Sequence, residues 1–354
     1  MIPALAVVGT LAAQDPVKPL PPPIAQVLPP GILWSVALPA PPAHPPLISG
    51  GRVFVAVLPS LLVAYDLKAG TELWREPIAP EKPLDADLEH VYIAAGDAVH
   101  ALRTADHAVA WRTPTGALVA PLLAKDGWII AASDSKLFAL RASDGTVVWS
   151  RDSTAQRQRP AISGDLLLVP LASGGIRAHD LATGNVRWEL PLAGAPAEPL
   201  IVGERAYVGA TDKRFYSINT TNGEVDWSWK VGAVVRGKAA SDGERVFYAG
   251  LDNIVRAVNR ASGSQRWQQG VPFRPFEGPT VFGPSVMVAG PTIDGLLLNG
   301  LDGRAAGKIA FPEVLAFAPS VGTSSDALVV AGITGGLTEA WKLWLAAPQT
   351  SNKQ

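Results

Sequence analysis

Three observations predict an all-β chain, an eight-bladed β-propeller of four-stranded antiparallel blades, closed by an N-terminal strand pairing with the C-terminal blade. Seven tryptophans, Trp34, Trp74, Trp111, Trp149, Trp188, Trp227 and Trp267, follow one another at intervals of 37 to 40 residues. Five of them have a glycine four residues ahead: Gly70, Gly145, Gly184, Gly223 and Gly263. Short β-branched and aromatic runs separated by turn residues fill the intervals. A period near forty residues marks stacked supersecondary units, each too small to bury its own apolar face.

The unit is clearest at Val63–Trp74, VAYDLKAGTELW, and it recurs ahead of Trp149, Trp188, Trp227 and Trp267. A weaker copy ends at Trp111, with His107 in the glycine place. The glycine supplies a positive φ in the hairpin loop without a Cβ clash. Ala64, Ala101, Ala139, Ala178 and Ala257 are small where strands crowd. The tryptophan ring is expected between adjacent blades, its indole N–H seeking one acceptor.

The elements follow in chain order. Met1 to Ala13 is a small apolar stretch before the polar pair Gln14–Asp15, and it reads as a signal-peptide remnant without the basic flank. Residues 14–31 are a proline-rich linker, extended and unable to enter a central strand. Ile32–Leu38 is a strand with no hairpin partner before it. Each later unit opens at a proline (Pro46, Pro83, Pro121, Pro160, Pro199, Pro279, Pro319) and turns at pairs such as Asp126–Gly127, Gly203–Glu204 and Asp242–Gly243. An aromatic and β-branched strand, the Ala-x-Asp strand, the glycine turn and the tryptophan strand complete it. Six units end at Trp74 to Trp267. Phe311, four residues after Gly307, is expected to take the tryptophan role in a seventh, at a spacing of 44. The eighth has strands at Ala318–Val321, Ala327–Ala331 and Gly336–Leu343, and borrows Ile32–Leu38 as its fourth. The propeller therefore spans 32–345, and 346–354 is read as a disordered tail.

Composition narrows the function classes. The net charge of −1 provides no field that would draw the chain to nucleic acid or anionic lipid. Only 17% of residues are charged, as expected of many strands buried on both faces. The longest apolar runs are too short for a transmembrane helix. There is no cysteine in these 354 residues, hence no disulfide, thiolate metal site, cysteine nucleophile or lipid anchor on Cys.

Side chains just before each opening proline should face the central channel or its rim. They are His44, Glu81, Lys82, Val119, Arg157, Arg159, Glu198, Arg236, Lys238, Glu277 and Phe317. Alternating charges there can hold a polar ligand or a partner's loop. Mutual neutralisation around a wet channel is the commoner role. Arg157 and Arg159 are the first candidates for partner contact, because guanidinium groups grip planar acceptors and are enriched at interface hot spots. Arg236 and Lys238 join them. Arg274 and Phe276, in the connector Phe273–Phe276, form a second aromatic and cationic candidate. Asp85, Asp87 and Glu89 alternate but lack the glycine-bearing loop of a calcium site, and read as a surface turn. The five histidines have no metal-ligand spacing, and no catalytic motif is present. Trp128, Trp229 and Trp344 fall outside the register, with Trp128 expected to pack on the next blade.

The signature Ala-x-Asp-x-x-x-Gly-x-x-x-Trp, complete at Ala64–Trp74 and Ala178–Trp188, resembles the PQQ-like β-propeller repeats over about residues 32–345. Two families carry such repeats. The quinoprotein dehydrogenases hold pyrroloquinoline quinone and calcium on the propeller axis, but they are longer, and many stack the quinone on a cysteine pair that this chain lacks. The BamB-like assembly factors are periplasmic scaffolds of the outer-membrane β-barrel assembly machinery. They match in length, blade number and donated N-terminal strand, and depart at the lipobox cysteine. The resemblance therefore implies a non-enzymatic, monomeric, periplasmic or secreted scaffold with a protein partner in the cell envelope and no cofactor. The alternative is a small quinoprotein dehydrogenase with pyrroloquinoline quinone and calcium.

Overall fold

In the computed structural model the described residues are 28–153, 156–311, 314–322, 328–333 and 341–349. The signal-like segment 1–13, most of the linker and the last five residues lie outside them, so those readings rest on sequence alone. Seven four-stranded antiparallel sheets follow one another, each contiguous in sequence. Sheet 1 comprises Leu47–Ser49, Arg52–Val57, Leu61–Asp66 and Glu72–Glu76. Sheets 2 to 7 repeat this order from Asp85 to Pro114, Leu123 to Asp152, Ala161 to Leu190, Leu200 to Lys230, Ala240 to Gly270 and Thr280 to Ala310.

The turn chemistry is as the sequence expects. Asp126 and Gly127 both take positive φ, 52° and 81°, between the paired residues Lys125 and Trp128. In the glycine turn, Asp66 Oδ1 accepts the amides of Lys68 and Ala69 at 2.9 and 2.7 Å. Asn219, Asn259 and Asn299 do the same in sheets 5 to 7. The aspartate of the signature is thus a turn-former that asparagine replaces freely.

Each tryptophan reaches across to the next sheet. A Cβ placed on Gly70, Gly145, Gly184, Gly223, Gly263 or Gly303 would lie 2.4–2.6 Å from the ring of Trp34, Trp111, Trp149, Trp188, Trp227 or Trp267. The indole N–H donates to a carbonyl in the same turn: Trp34 to Leu67, Trp74 to Thr104, Trp149 to Leu181 and Trp267 to Gly300, at 2.8–3.0 Å. The apolar clusters accordingly straddle neighbouring sheets; one joins Ile130, Ala139 and Trp149 of sheet 3 to Leu167 and Val169 of sheet 4. Trp128 is half-buried against it, as expected. Among the described residues the core is divided into layers between neighbouring sheets, each worth tens of kcal/mol at about 25 cal/mol per Å² of apolar area before chain entropy is set against it.

Two departures from the pattern are informative. Trp227 Nε1 is buried with no acceptor, because the Tyr207 hydroxyl donates to the corresponding carbonyl, Arg260 O, at 2.9 Å. Trp229, two residues on, bonds Gly263 O instead at 2.6 Å. Trp149→Phe is therefore expected to cost about 1–2 kcal/mol more than Trp227→Phe, the difference being one buried carbonyl left unpaired. Urea titrations of the two variants measure it.

The second departure corrects the seventh unit. Gly307, not Phe311, occupies the tryptophan position: it pairs with Leu297 as Trp267 pairs with Ala257. The spacing from Trp267 to Gly307 is 40, within the period. Leu297 replaces the usual alanine, so volume lost on one strand returns on the other. Phe311 follows the strand, packing with Ile309 and Leu315.

In sheets 1 to 7 the register between third and fourth strands shifts by one residue beside the tryptophan position, as between Ala139 and Leu140. These are β-bulges. Beyond the seven sheets, the backbone of Leu28–Leu38 pairs antiparallel with Trp341–Gln349, which pairs with Leu328–Ile333 and through it with Ser320–Gly322. The first strand starts inside the stretch read as linker, and the last reaches past 345 to Gln349. Residues 334–340, which hold the start of the expected Gly336–Leu343 strand, lie outside the described residues.

Candidate functional site

Because every sheet is an antiparallel meander, its two hairpin turns of sequence positions one–two and three–four share one end. The connector to the next sheet leaves from the other end. All connectors therefore gather on one face, around the short first strands. There they line an open cavity of about 480 Å³, whose walls include Pro46, Pro83, Pro121 and Pro279 together with Arg159, Glu198, Lys238 and Glu277. The opening prolines position these walls. Each precedes its first strand by a residue or two, where a missing amide N–H costs no ladder bond.

The charges inside are largely spoken for. Arg159 Nη1 lies 3.3 Å from Asp85 Oδ2, and Nη2 donates to Leu84 O at 3.3 Å. Asp85 also accepts the amides of Ala86 and Ala124 at 3.0 and 2.9 Å. Burial pushes the Asp85 carboxyl up, opposed by Arg159 and by the two amides. Lys238 Nζ lies 2.7 Å from Glu198 Oε1. Glu277 has no ion pair among the described residues. Its burial first and Glu198 second push its carboxyl up, while Arg236 pulls it down.

The other predicted rim residues divide. His44 Nε2 meets Pro80 O at 3.1 Å, and burial lowers its pKa. Glu81 accepts the Gly96 amide, Val119 packs between sheets 3 and 4, and Phe317 is half-buried. Arg157, Arg236 and Arg274 are exposed on the connectors and form no ion pair among the described residues. Phe276, two residues after Arg274, is half-buried and packed on the sheet 7 cluster.

The acidic triplet needs correction. Asp87 and Glu89 lie in a turn, where Asp87 Oδ1 accepts the Glu89 and His90 amides and Oδ2 accepts the Tyr92 hydroxyl. Asp85 does not: it starts the first strand of sheet 2 and is tied to sheets 3 and 4. The period gave no sign of this, since its partner Arg159 is 74 residues away. Among the described residues no three carboxylates or histidines converge on one point. The donor set on the axis does not fit a calcium cage, which takes six or more oxygen ligands. No helix of the described residues is long and apolar enough to cross a membrane.

Comparison with known proteins agrees with this architecture. Among solved structures, BamB from Moraxella catarrhalis superposes with a TM-score of 0.72 at 17% identity, over 90% of this chain and 99% of that one. A quinohemoprotein alcohol dehydrogenase from Comamonas testosteroni gives 0.71 at 12% identity, over 93% of this chain and 78% of that one. At such identities both speak for the fold alone. The outer membrane protein assembly factor BamB of Yersinia pestis is 22% identical over 258 residues, 63% of this chain. The chain spans 65% of that relative's length. The family described as outer membrane protein assembly factor BamB, a PQQ-type repeat family, matches residues 60–198 and 193–294, and the chain belongs to it.

Proposed function

We propose that the chain is a non-enzymatic protein-binding scaffold of the cell envelope, acting with the machinery that assembles outer-membrane β-barrels. In this reading the pairing of Leu28–Leu38 with Trp341–Gln349 makes an eighth blade and latches the ring. Closure leaves no blade without a neighbour to cover it. The chain works as an exported monomer without a cofactor, and its rigid ring presents the connector face to the partner.

The observation that carries the reading is the contrast among the cations of that face. Arg159 and Lys238 are neutralised by Asp85 and Glu198. Arg157, Arg236 and Arg274 stand exposed without an ion pair among the described residues, and Phe276 follows Arg274 by two residues. Exposed arginine beside an aromatic is the composition of an interface hot spot, where one side chain contributes about 2 kcal/mol or more. The quinoprotein alternative needs a calcium cage that the axial residues do not form.

Photo-crosslinking to purified β-barrel assembly machinery tests this. The triple variant Arg157→Ala, Arg236→Ala, Arg274→Ala is expected to lose at least ~100-fold in affinity, at about 1 kcal/mol or more per arginine, with an unchanged melting temperature. Full binding by the triple variant sinks the reading. So does dye-linked alcohol oxidation on adding pyrroloquinoline quinone and calcium.

A further inference from the structure

The axial cavity is two-sided. Sheets 1 to 3 line it with Pro46, Pro83, Leu84 and Pro121, an apolar wall. Sheets 4 to 7 line it with Arg159, Glu198, Lys238 and Glu277, set beside the apolar Ala239, Pro279 and Val281. Its volume, about 480 Å³, falls in the range of small-molecule sites, roughly 300–1,000 Å³.

The charged groups are not all paired. Asp85 answers Arg159 and Glu198 answers Lys238, so Glu277 is the lining carboxylate left without an ion pair among the described residues. Gly237 has φ +73°, and a Cβ there would meet the Gly278 amide N at 2.2 Å and Glu277 Oε2 at 2.8 Å, so the chain at Glu277–Gly278 packs directly on Gly237. Arg236 is the one cation acting on it, and it makes no ion pair with Glu277 among the described residues. A carboxylate without an ion pair, exposed at the mouth of a cavity, is open to a ligand that supplies the counter-charge.

The geometry points to a binding site for an alkyl cation, with an aliphatic stem along the proline wall and an ammonium or guanidinium head on Glu277. A free amine or guanidine carries this chemistry, and so does a lysine or arginine side chain presented on a partner's loop. The site does not depend on the scaffold reading, because the rim arginines that serve that reading take no part in holding the ligand. Arg236 competes with the ligand for Glu277.

Isothermal titration of the full chain with butylguanidinium and butylammonium, against butanol and butyrate, tests the site. Single-site binding of the two cations is expected, with neither butanol nor butyrate binding comparably. Glu277→Gln should weaken it at least tenfold, and Glu224→Gln, on an exposed turn of sheet 5, should leave it unchanged. Because Glu277 is exposed and forms no ion pair among the described residues, Glu277→Gln should keep its melting temperature at pH 7, so lost binding is not unfolding. Arg236→Ala should tighten cation binding while weakening partner capture, which separates this site from the rim contact. End-blocked Gly-Arg-Gly binding more tightly than the free cations identifies a partner's side chain as the source. Binding of the free cations alone identifies a small molecule. No saturable cation binding, equal binding of butyrate, or an unaffected Glu277→Gln overturns the proposal.

Discussion

Gly184→Ala should destabilise the protein by about 3–4 kcal/mol, combining a non-glycine residue at positive φ with overpacking against a fixed ring. The φ of Gly184 is +71°, and the added Cβ would lie 2.6 Å from Trp149. The ring cannot retreat cheaply, since its N–H is bonded to Leu181 O at 2.8 Å in the same turn. Sheet 2 shows what tolerance requires. There His107 occupies the glycine place at φ 51°, under a Trp74 ring tilted by 32° at 5.5 Å. Its Nδ1 lies 2.9 Å from Glu76 Oε2, a contact no alanine can make. A shift of the urea midpoint at constant slope measures the cost. A change below about 1 kcal/mol would mean that the layer between sheets 3 and 4 yields more readily than this contact implies.

Arg159→Ala should cost about 3 kcal/mol at neutral pH, because truncating one member of a mostly buried pair leaves the other charged and unanswered. Asp85 and Arg159 keep only 13% and 22% of their side-chain surface exposed. Asp85 also ties the first strand of sheet 2 to the Ala124 amide of sheet 3, so the loss reaches three sheets. The pH dependence has a definite sign. Burial already raises the Asp85 pKa in the folded state, and losing Arg159 raises it further. A raised carboxylate pKa penalises the folded state above the unfolded value near 4, and the penalty vanishes as pH falls below it. The gap between Arg159→Ala and the parent should therefore narrow between pH 7 and pH 4. A gap that stays constant would show that Asp85 is not the group left charged.

The sequence carried the repeat well because one physical device recurs: a large ring over a position where no Cβ fits. Trp149 and Gly184 are legible as a pair even though they belong to different sheets. The device fails to show where it is replaced. Gly307 and Leu297 exchange large for small across the same pair of strands, so a search for an aromatic settled on Phe311, four residues late. The candidate site was half legible. The opening prolines located the rim, and Arg159, Glu198, Lys238 and Glu277 do meet in one cavity. Which charges cancel depended on contacts such as Asp85 with Arg159, between sheets two apart, and on the orientation of Glu277 against Gly237. Neither leaves a local pattern. The Tyr207 hydroxyl taking the acceptor of Trp227 is a competition of the same kind.

The bulge beside every tryptophan position bears on how the rim of the molecule behaves in a crowded compartment. Each of the seven sheets ends outward in a strand whose far side has unpaired amides and carbonyls, the usual template for chain-to-chain association. A flat, regular strand of five or six residues would recruit a neighbour along its whole length. Here the extra residue, such as Val148 between Val147 and Trp149, breaks the repeat of donors and acceptors and increases the local twist. An incoming strand finds two short, misaligned stretches instead of one long one. Seven potential pairing edges are thereby interrupted by the same bulge that accompanies the tryptophan position.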